Sequence, residues 1–400
     1  MNRLAKSGLP LFFELENPEE IGFTAPENRL GDSLTTSVRS LSVMQKEAVV
    51  ASSRTGKAWR LSSDEGAYLN GDDEAPCPLA FLTAGMIASY TNEIVALAAQ
   101  RGIAFRHLRL TQDNFYTMEG SMPKRTMVGG ALPVELEVEI DCDADDKTIT
   151  DLVYNAVAAS PLNGLMRSSH TSVFALARNG VELEPDRVAG LDRPIYPDPG
   201  DLFDLARPMP LEVEGELTWN GGETPRIEGD AHAGGQGSSL QDEQKRQLHI
   251  GAICTLRPDG IKEITQLQYS PHGTNKILLS EEAPINGGQG RAPDANTYIS
   301  AGIGFCFMTQ FGRFVAMMKK DLEEYRIVQD THFSLGGASG GTGVAGTADP
   351  VETHVYLKTS ENEEFAREIL DISEQTCFLH AFCRTDLKTK LRVTRQTQAA

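Results

Sequence analysis

Two cysteines, Cys306 and Cys377, are separated by the same interval as two serines, Ser89 and Ser160, 71 positions in each case. A single shift of 217 (306 less 89, and 377 less 160) carries the serine pair onto the cysteine pair. The shift also carries Ser63-Asp64-Glu65 onto Ser280-Glu281-Glu282, Gly71 onto Gly288, and Ala75-Pro76 onto Ala292-Pro293. Ala84-Gly85 falls on Ala301-Gly302, Pro133-Val134-Glu135 on Pro350-Val351-Glu352, and Arg167 on Arg384. The register slips only after the first helix, where Ile103 best matches Ile327, and the glycine-rich loop that follows restores it. A chain with this pattern reads as a tandem duplication of a unit of about 200 residues, too long for a solenoid repeat. One copy carries two thiols and the other two hydroxyls, so redox chemistry is expected in one copy alone.

Composition narrows the classes. Four hundred residues, 40% of them hydrophobic, suffice for two ordinary domains. A net charge of −19 argues against nucleic acid or an anionic membrane as partner, because both repel an acidic surface. The apolar stretch Leu9 to Phe13 is too short for a secretory leader, and no run approaches the ~20 apolar residues of a membrane span. Six cysteines are no disulfide scaffold. The expectation is a cytoplasmic protein with reduced thiols.

Along the chain, residues 1–32 read as an irregular arm. Residues 33–178 form a first domain and 179–246 a linker rich in proline and glycine, including Ala233-Gly234-Gly235-Gln236-Gly237. Residues 247–395 form the second domain. The alternation Ser37-Val38-Arg39-Ser40-Leu41-Ser42-Val43 predicts half-buried strands over 33–62. Helical spacing follows over Pro78 to Arg101, a strand over Leu132 to Ile140, a helix over Thr148 to Ala159, and a closing strand over His170 to Ala177. A strand-like piece is expected in the linker at Leu211 to Trp219. The second domain repeats the order. It has strands at Leu248 to Leu256, Glu263 to Tyr269 and Ile277 to Leu279, and a long apolar helix from Thr297 to Tyr325. A flexible loop from Leu335 to Gly346, a strand from Val351 to Lys358 and a helix from Asn362 to about Cys383 follow. Each domain is therefore expected to be α+β, an antiparallel sheet with long helices. In the helix bearing Cys306, Ala301, Gly302 and Gly304 are small enough to let a second helix approach closely.

At these residues the chain resembles the OsmC/Ohr family of thiol peroxidases. The resemblance rests on Gly287-Gly288-Gln289-Gly290-Arg291-Ala292-Pro293, then Ala301-Gly302-Ile303-Gly304-Phe305-Cys306, then Gln375-Thr376-Cys377-Phe378-Leu379-His380. In the first copy the last motif is Ala158-Ala159-Ser160-Pro161-Leu162-Asn163, which keeps the family's proline and lacks the thiol. The resemblance covers about 45–178 and 247–395. It implies an intertwined dimer, built here within one chain as a pseudo-dimer whose degenerate first copy is the structural partner. It also implies reduction of organic or inorganic hydroperoxides, with Cys306 as peroxidatic thiolate and Cys377 as resolving thiol. An external dithiol would be the reductant. A family arginine lowers the thiol pKa. The hairpin turn places that role on Arg257, with Arg291 in the loop before the helix as second candidate. The family's orienting glutamate, eleven positions before the cysteine, falls on Ala295, beside Asp294.

Other readings of the same residues have less behind them. Cys383 reads as core, and Cys77, Cys142 and Cys254 as structural or surface thiols. Cys306, Cys383 and His380 lack zinc spacing, so no metal and no other cofactor is expected. Ser89 and Ser160 lack a nucleophile elbow. Gly336-Gly337-Ala338-Ser339-Gly340-Gly341 lacks the Lys-Ser/Thr ending of a phosphate loop. The rival functions are a non-catalytic OsmC-fold protein that binds a small ligand or senses oxidants, and a purely structural partner in an assembly. A homo-oligomer is compatible with each.

Overall fold

A computed structural model describes residues 2–227, 235–284 and 287–395. Ala233 and Gly234 of the linker's glycine run lie outside the described residues. The first half supplies β1 (Gly31–Ser40), β2 (Lys46–Ser52), β3 (Ala58–Ser63), α1 (Pro78–Gln100), β4 (His107–Ser121), β5 (Glu135–Asp141), α2 (Asp146–Ala159) and β6 (Val173–Arg178). The second half begins with β7 (Glu243–Leu256), β8 (Lys262–Ser270), β9 (Thr274–Ser280) and α3 (Ala295–Met318). It continues with β10 (Glu324–Ser334), β11 (Glu352–Lys358), α4 (Glu363–Thr376), α5 (Phe378–Arg384) and β12 (Lys390–Arg395).

The two halves interleave. One sheet runs β3-β2-β1-β10-β11-β6 and the other β9-β8-β7-β4-β5-β12, with short strands added at their margins. Each sheet therefore takes a three-strand meander and a closing strand from one half and two central strands from the other. Its seam is a long antiparallel pairing. β4 meets β7 from Arg109↔Thr255 to Ser121↔Glu243, and β10 meets β1 from Arg326↔Arg39 to Ser334↔Gly31. The sheets are not wholly antiparallel, because β6 joins β11 and β12 joins β5 in parallel. Each of these closing strands follows helical chain that arrives from the other sheet, and its parallel partner belongs to the other half.

Between the sheets lie α1 and α3, each packed on the meander of the other half. Both helices are apolar around most of their circumference, the pattern of an element buried on all sides. By length and apolar composition either resembles a membrane span, yet most of each is buried inside the protein. They cross through a reciprocal pair of glycines. A Cβ on Gly85 would sit 2.5 Å from Ile299 Cγ1 and 2.7 Å from the Ala295 carbonyl oxygen. A Cβ on Gly302 would sit 2.9 Å from Phe81 Cβ and 3.1 Å from the Leu82 nitrogen. Phe81 then packs on Phe305 with ring centroids 5.0 Å apart, and each such buried ring contributes about 1.5–3 kcal/mol.

Several boundaries differ from those expected. The helix predicted over Thr297 to Tyr325 ends at Met318, where Lys319 turns into the left-handed region (φ 51°) and frees Glu324 to start β10. The helix predicted from Asn362 to Cys383 is broken at Cys377, whose backbone is extended (φ −74°, ψ 119°). Ser160 breaks the first half at the matching place (φ −63°, ψ 126°). The arm and linker are not wholly irregular. Phe13–Glu14 pairs with β3, and the strand expected at Leu211 to Trp219 lies instead at Thr218–Glu223, along β9.

Candidate functional site

Cys306 lies on the central face of α3, and the break at Cys377 turns that side chain toward it. Both are free thiols within hydrogen-bonding reach of each other, 2% and 0% exposed. The matching residues of the first half show the same approach, with Ser89 Oγ and Ser160 Oγ 2.7 Å apart. One turn beyond the break, His380 Nδ1 lies 3.2 Å from Cys377 Sγ, and its ring packs on Phe174 and Phe307. Burial raises the Cys377 thiol, but the hydrogen bond from Cys306 and the electrostatic attraction and hydrogen bonds of His380 outweigh this and hold it well below its usual value. Burial, together with Cys377 as a neighbouring anion, pushes Cys306 well above its usual value.

Cys306 also lines a small cavity of about 30 Å³, room for one or two water-sized molecules. Its wall combines Cys306, Gln310 and Arg313 of α3 with Glu65, Tyr68 and Cys77 of the first half, and with Arg246 and Gln268 of β7 and β8. Because α3 packs on the meander of the opposite half, the carboxylate reaching this cavity is Glu65 from the first half. Glu65 accepts a 2.6 Å hydrogen bond from the Tyr68 hydroxyl.

The charges in this wall are uneven. Arg313 is 2% exposed, and its Nε donates to the Ser239 carbonyl at 3.0 Å. Its remaining nitrogens find Gln310 Oε1 at 3.4 Å and the thioether sulfurs of Met118 and Met127. Arg246 donates to Ser239 Oγ and leaves its Nε without a partner among the described residues. Neither guanidinium has a carboxylate within ion-pair distance among the described residues. Burial lowers Arg313 to about 9 and Arg246 to about 10, so both stay charged at neutral pH. Lys46 of β2, fully buried, is lowered by burial to about 8 and feels Glu65, Asp64 and Cys306. Three cations thus face two carboxylates, Asp64 and Glu65, and the excess positive charge favours an anion in or beside the cavity.

The structure brings Cys306 and Cys377 together and places Arg257 and Arg291 elsewhere. Arg257 sits on the β7–β8 turn, 3.2 Å from Asp259. Arg291 is clasped by Glu281, its backbone N and Nε at 2.9 Å from one oxygen and its Nη2 at 2.6 Å from the other. Neither lines the cavity, because nearby carboxylates satisfy both. Asp294 caps α3 by accepting from the Thr297 nitrogen at 2.7 Å and lies 4.0 Å from Arg54. That cluster belongs to the serine-bearing side, where Arg54 also reaches Glu282 and Asn92 of α1 donates to Glu282 at 2.6 Å.

Sequence reasoning missed Lys46, Glu65, Arg246 and Arg313 and left His380 and Cys77 aside. Three of these had a signal. Glu65 falls on Glu282 in the 217-residue register, Arg313 stands two helical turns from Cys306, and His380 stands one turn from Cys377. Cys77, expected to be structural or surface, lines the cavity and donates to Gln268 Oε1 at 3.0 Å.

The family model for OsmC-like proteins matches residues 288–392. This stretch is similar to OsmC-like proteins. It holds both cysteines, α3 and the break at Cys377, and runs into β12. Among solved structures, the chain is similar to an OsmC-like hydroperoxide resistance protein from Jannaschia sp. CCS1, with 21% identity. That alignment covers 32% of this chain and 81% of the other, with a TM-score of 0.19. No curated protein matches the chain.

Proposed function

We propose that this chain reduces hydroperoxides through Cys306 and Cys377, with one redox site per chain. The observation that carries the proposal is the approach of two free thiols inside an OsmC-like domain, one of them facing a small cavity with excess positive charge. The Cys306 sulfur attacks the outer peroxide oxygen, the O–O bond breaks, an alcohol or water leaves, and Cys306 becomes a sulfenic acid. Cys377 attacks that sulfur, the S–S bond forms and water leaves. An external dithiol returns both thiols by exchange. The role foreseen for Arg257 or Arg291 passes to Arg313 and Arg246, which share the cavity with Cys306. A cavity of this size fits hydrogen peroxide or the head of an organic hydroperoxide. Peroxide consumption driven by a dithiol tests the reading, and a chain that consumes none is not a peroxidase.

The like element order, the reciprocal sheets and the matched glycines support descent from a tandem duplication with a degenerate first copy. If so, the serine side retains the geometry of a thiol pair. In the double variant Ser89→Cys/Ser160→Cys we expect a second, oxidant-formed disulfide, counted by thiol titration as two further thiols lost per chain. Failure of the introduced pair to oxidise would count against the equivalence of the two sites.

A second reading has its own support. The near-complete burial of both sulfurs and the raised Cys306 thiol suit an oxidant sensor that forms its disulfide slowly. Stopped-flow rates of disulfide formation against rates of turnover separate the two.

A further inference from the structure

The proton of the reduced pair has two sulfurs to choose between, and the surroundings are unequal. Cys377 Sγ faces His380 Nδ1 at 3.2 Å on one side and the Cys306 thiol on the other. His380 is 1% exposed, and its Nε2 has no partner among the described residues. With an anion on Cys377, the facing ring nitrogen Nδ1 is placed to donate to the sulfur. Cys306 receives the Leu379 backbone N–H, is faced by no ring donor among the described residues, and borders the cavity.

We infer that Cys377 is the anionic member of the reduced pair, positioned by the His380 Nδ1–H, and that it serves as the proton relay for Cys306. The relay depends on the peroxidase reading above, whereas the placement of charge does not. When oxidant enters, the Cys306 proton passes to Cys377, and the Cys306 sulfur bonds the outer peroxide oxygen. The O–O bond breaks, and the leaving oxygen takes the proton from Cys377 and departs as alcohol. Cys377 is then a thiolate again, the state it needs to attack the sulfenic sulfur. That attack forms the disulfide and expels hydroxide, which takes a proton from solvent. The excess cations Arg313, Arg246 and Lys46 stabilise the transient charge on Cys306.

The groups around the pair leave it the clearest source of a neutral-pH thiolate. Cys383 on α5 is pushed by burial to about 12, and Cys254 on β7 to about 11. Burial also pushes Cys77 and the Tyr116 phenol of β4 well above their usual values. Among the described residues, Lys46, Glu65, Arg246 and Arg313 are charged groups near Cys306.

The test uses the reduced full-length chain and the ultraviolet absorbance of thiolate. At neutral pH we expect the thiolate signal to survive in Cys306→Ser and to vanish in Cys377→Ser. Survival in Cys377→Ser with loss in Cys306→Ser overturns the assignment. His380→Asn, which can still donate from a similar position, is expected to keep the titration near that of the parent. His380→Phe is expected to move it upward by at least about tenfold in proton concentration. An unmoved titration in folded His380→Phe overturns the positioning role. For the relay, Cys377→Ser is expected to slow sulfenic acid formation at Cys306 by about 10²-fold at neutral pH, with recovery at alkaline pH. An unchanged neutral rate overturns it. Absence of turnover in the parent chain, with the thiolate still on Cys377, would remove the peroxidase reading and leave the charge assignment standing.

Discussion

Cys306→Ser is expected to lower dithiol-driven peroxide consumption by about 10³-fold or more while leaving the fold intact. The size of the loss follows from nucleophilicity, because a hydroxyl is not appreciably ionised near neutral pH and an alkoxide has no counterpart to the proton arrangement of the thiol pair. Survival of the fold follows from the first half. There Ser89 and Ser160 hydrogen-bond at 2.7 Å in the matching position, so a hydroxyl on α3 suits this geometry. Circular dichroism and thermal melting close to the parent should accompany the loss. Two arginine variants place the electrostatics. Arg313→Gln should depress turnover, because it removes a buried charge from the cavity wall. Arg257→Gln, on the turn and bonded to Asp259, should change turnover by no more than about twofold. Equal losses in both would contradict the placement of Arg313 beside Cys306.

The largest expected effect on stability comes from Gly302→Leu. The added Cβ meets Phe81 Cβ at 2.9 Å and the Leu82 backbone nitrogen at 3.1 Å, and the rest of the side chain must enter the α1–α3 crossing. Overpacking a core commonly costs about 1–3 kcal/mol, and here the obstacle includes backbone of a helix held between two sheets. A loss of about 3 kcal/mol or more is therefore expected from urea unfolding. Because α1 and α3 come from different halves, the damage should reach both sheets in one transition. Gly190→Ala is the control, since nothing lies within 4 Å of its added Cβ and its backbone is not in the left-handed region. It should change stability by less than about 0.5 kcal/mol. A tolerated Gly302→Leu would mean that the helices are not in close contact.

The parts of this architecture that could be read from sequence are those written in apolar periodicity. Helices α1, α2 and α3 and the meander strands announce themselves by spacing. The seam strands β4 and β10 do not, because they carry polar residues where a strand pattern expects apolar ones. On β4 the inward positions include Gln112 and Asn114, which are buried and hydrogen-bond at 2.7 Å. On β10 the buried run Gln329-Asp330-Thr331-His332 is held by Ser33, Thr35 and Ser300 from neighbouring elements. Such residues are stable inside only with partners from other parts of the chain, so their burial cannot be seen locally. The site divides in the same way. The thiol pair was legible from its register with the serines. Its charged surroundings show in the sequence only as the register of Glu65 and the helical spacing of Arg313, because Glu65 and Lys46 reach Cys306 through the packing of α3 on the opposite half. Arg257 and Arg291 looked apt by position, but Asp259 and Glu281 hold them away from the cavity.

The most direct measurement is peptide mapping by mass spectrometry after the reduced chain receives one equivalent of hydroperoxide. The expected result is a single disulfide per chain, joining Cys306 to Cys377, with Cys77, Cys142, Cys254 and Cys383 still reduced. A bond between any other pair, or peroxide consumed while Cys306 stays a thiol, would contradict a redox site built on these two cysteines.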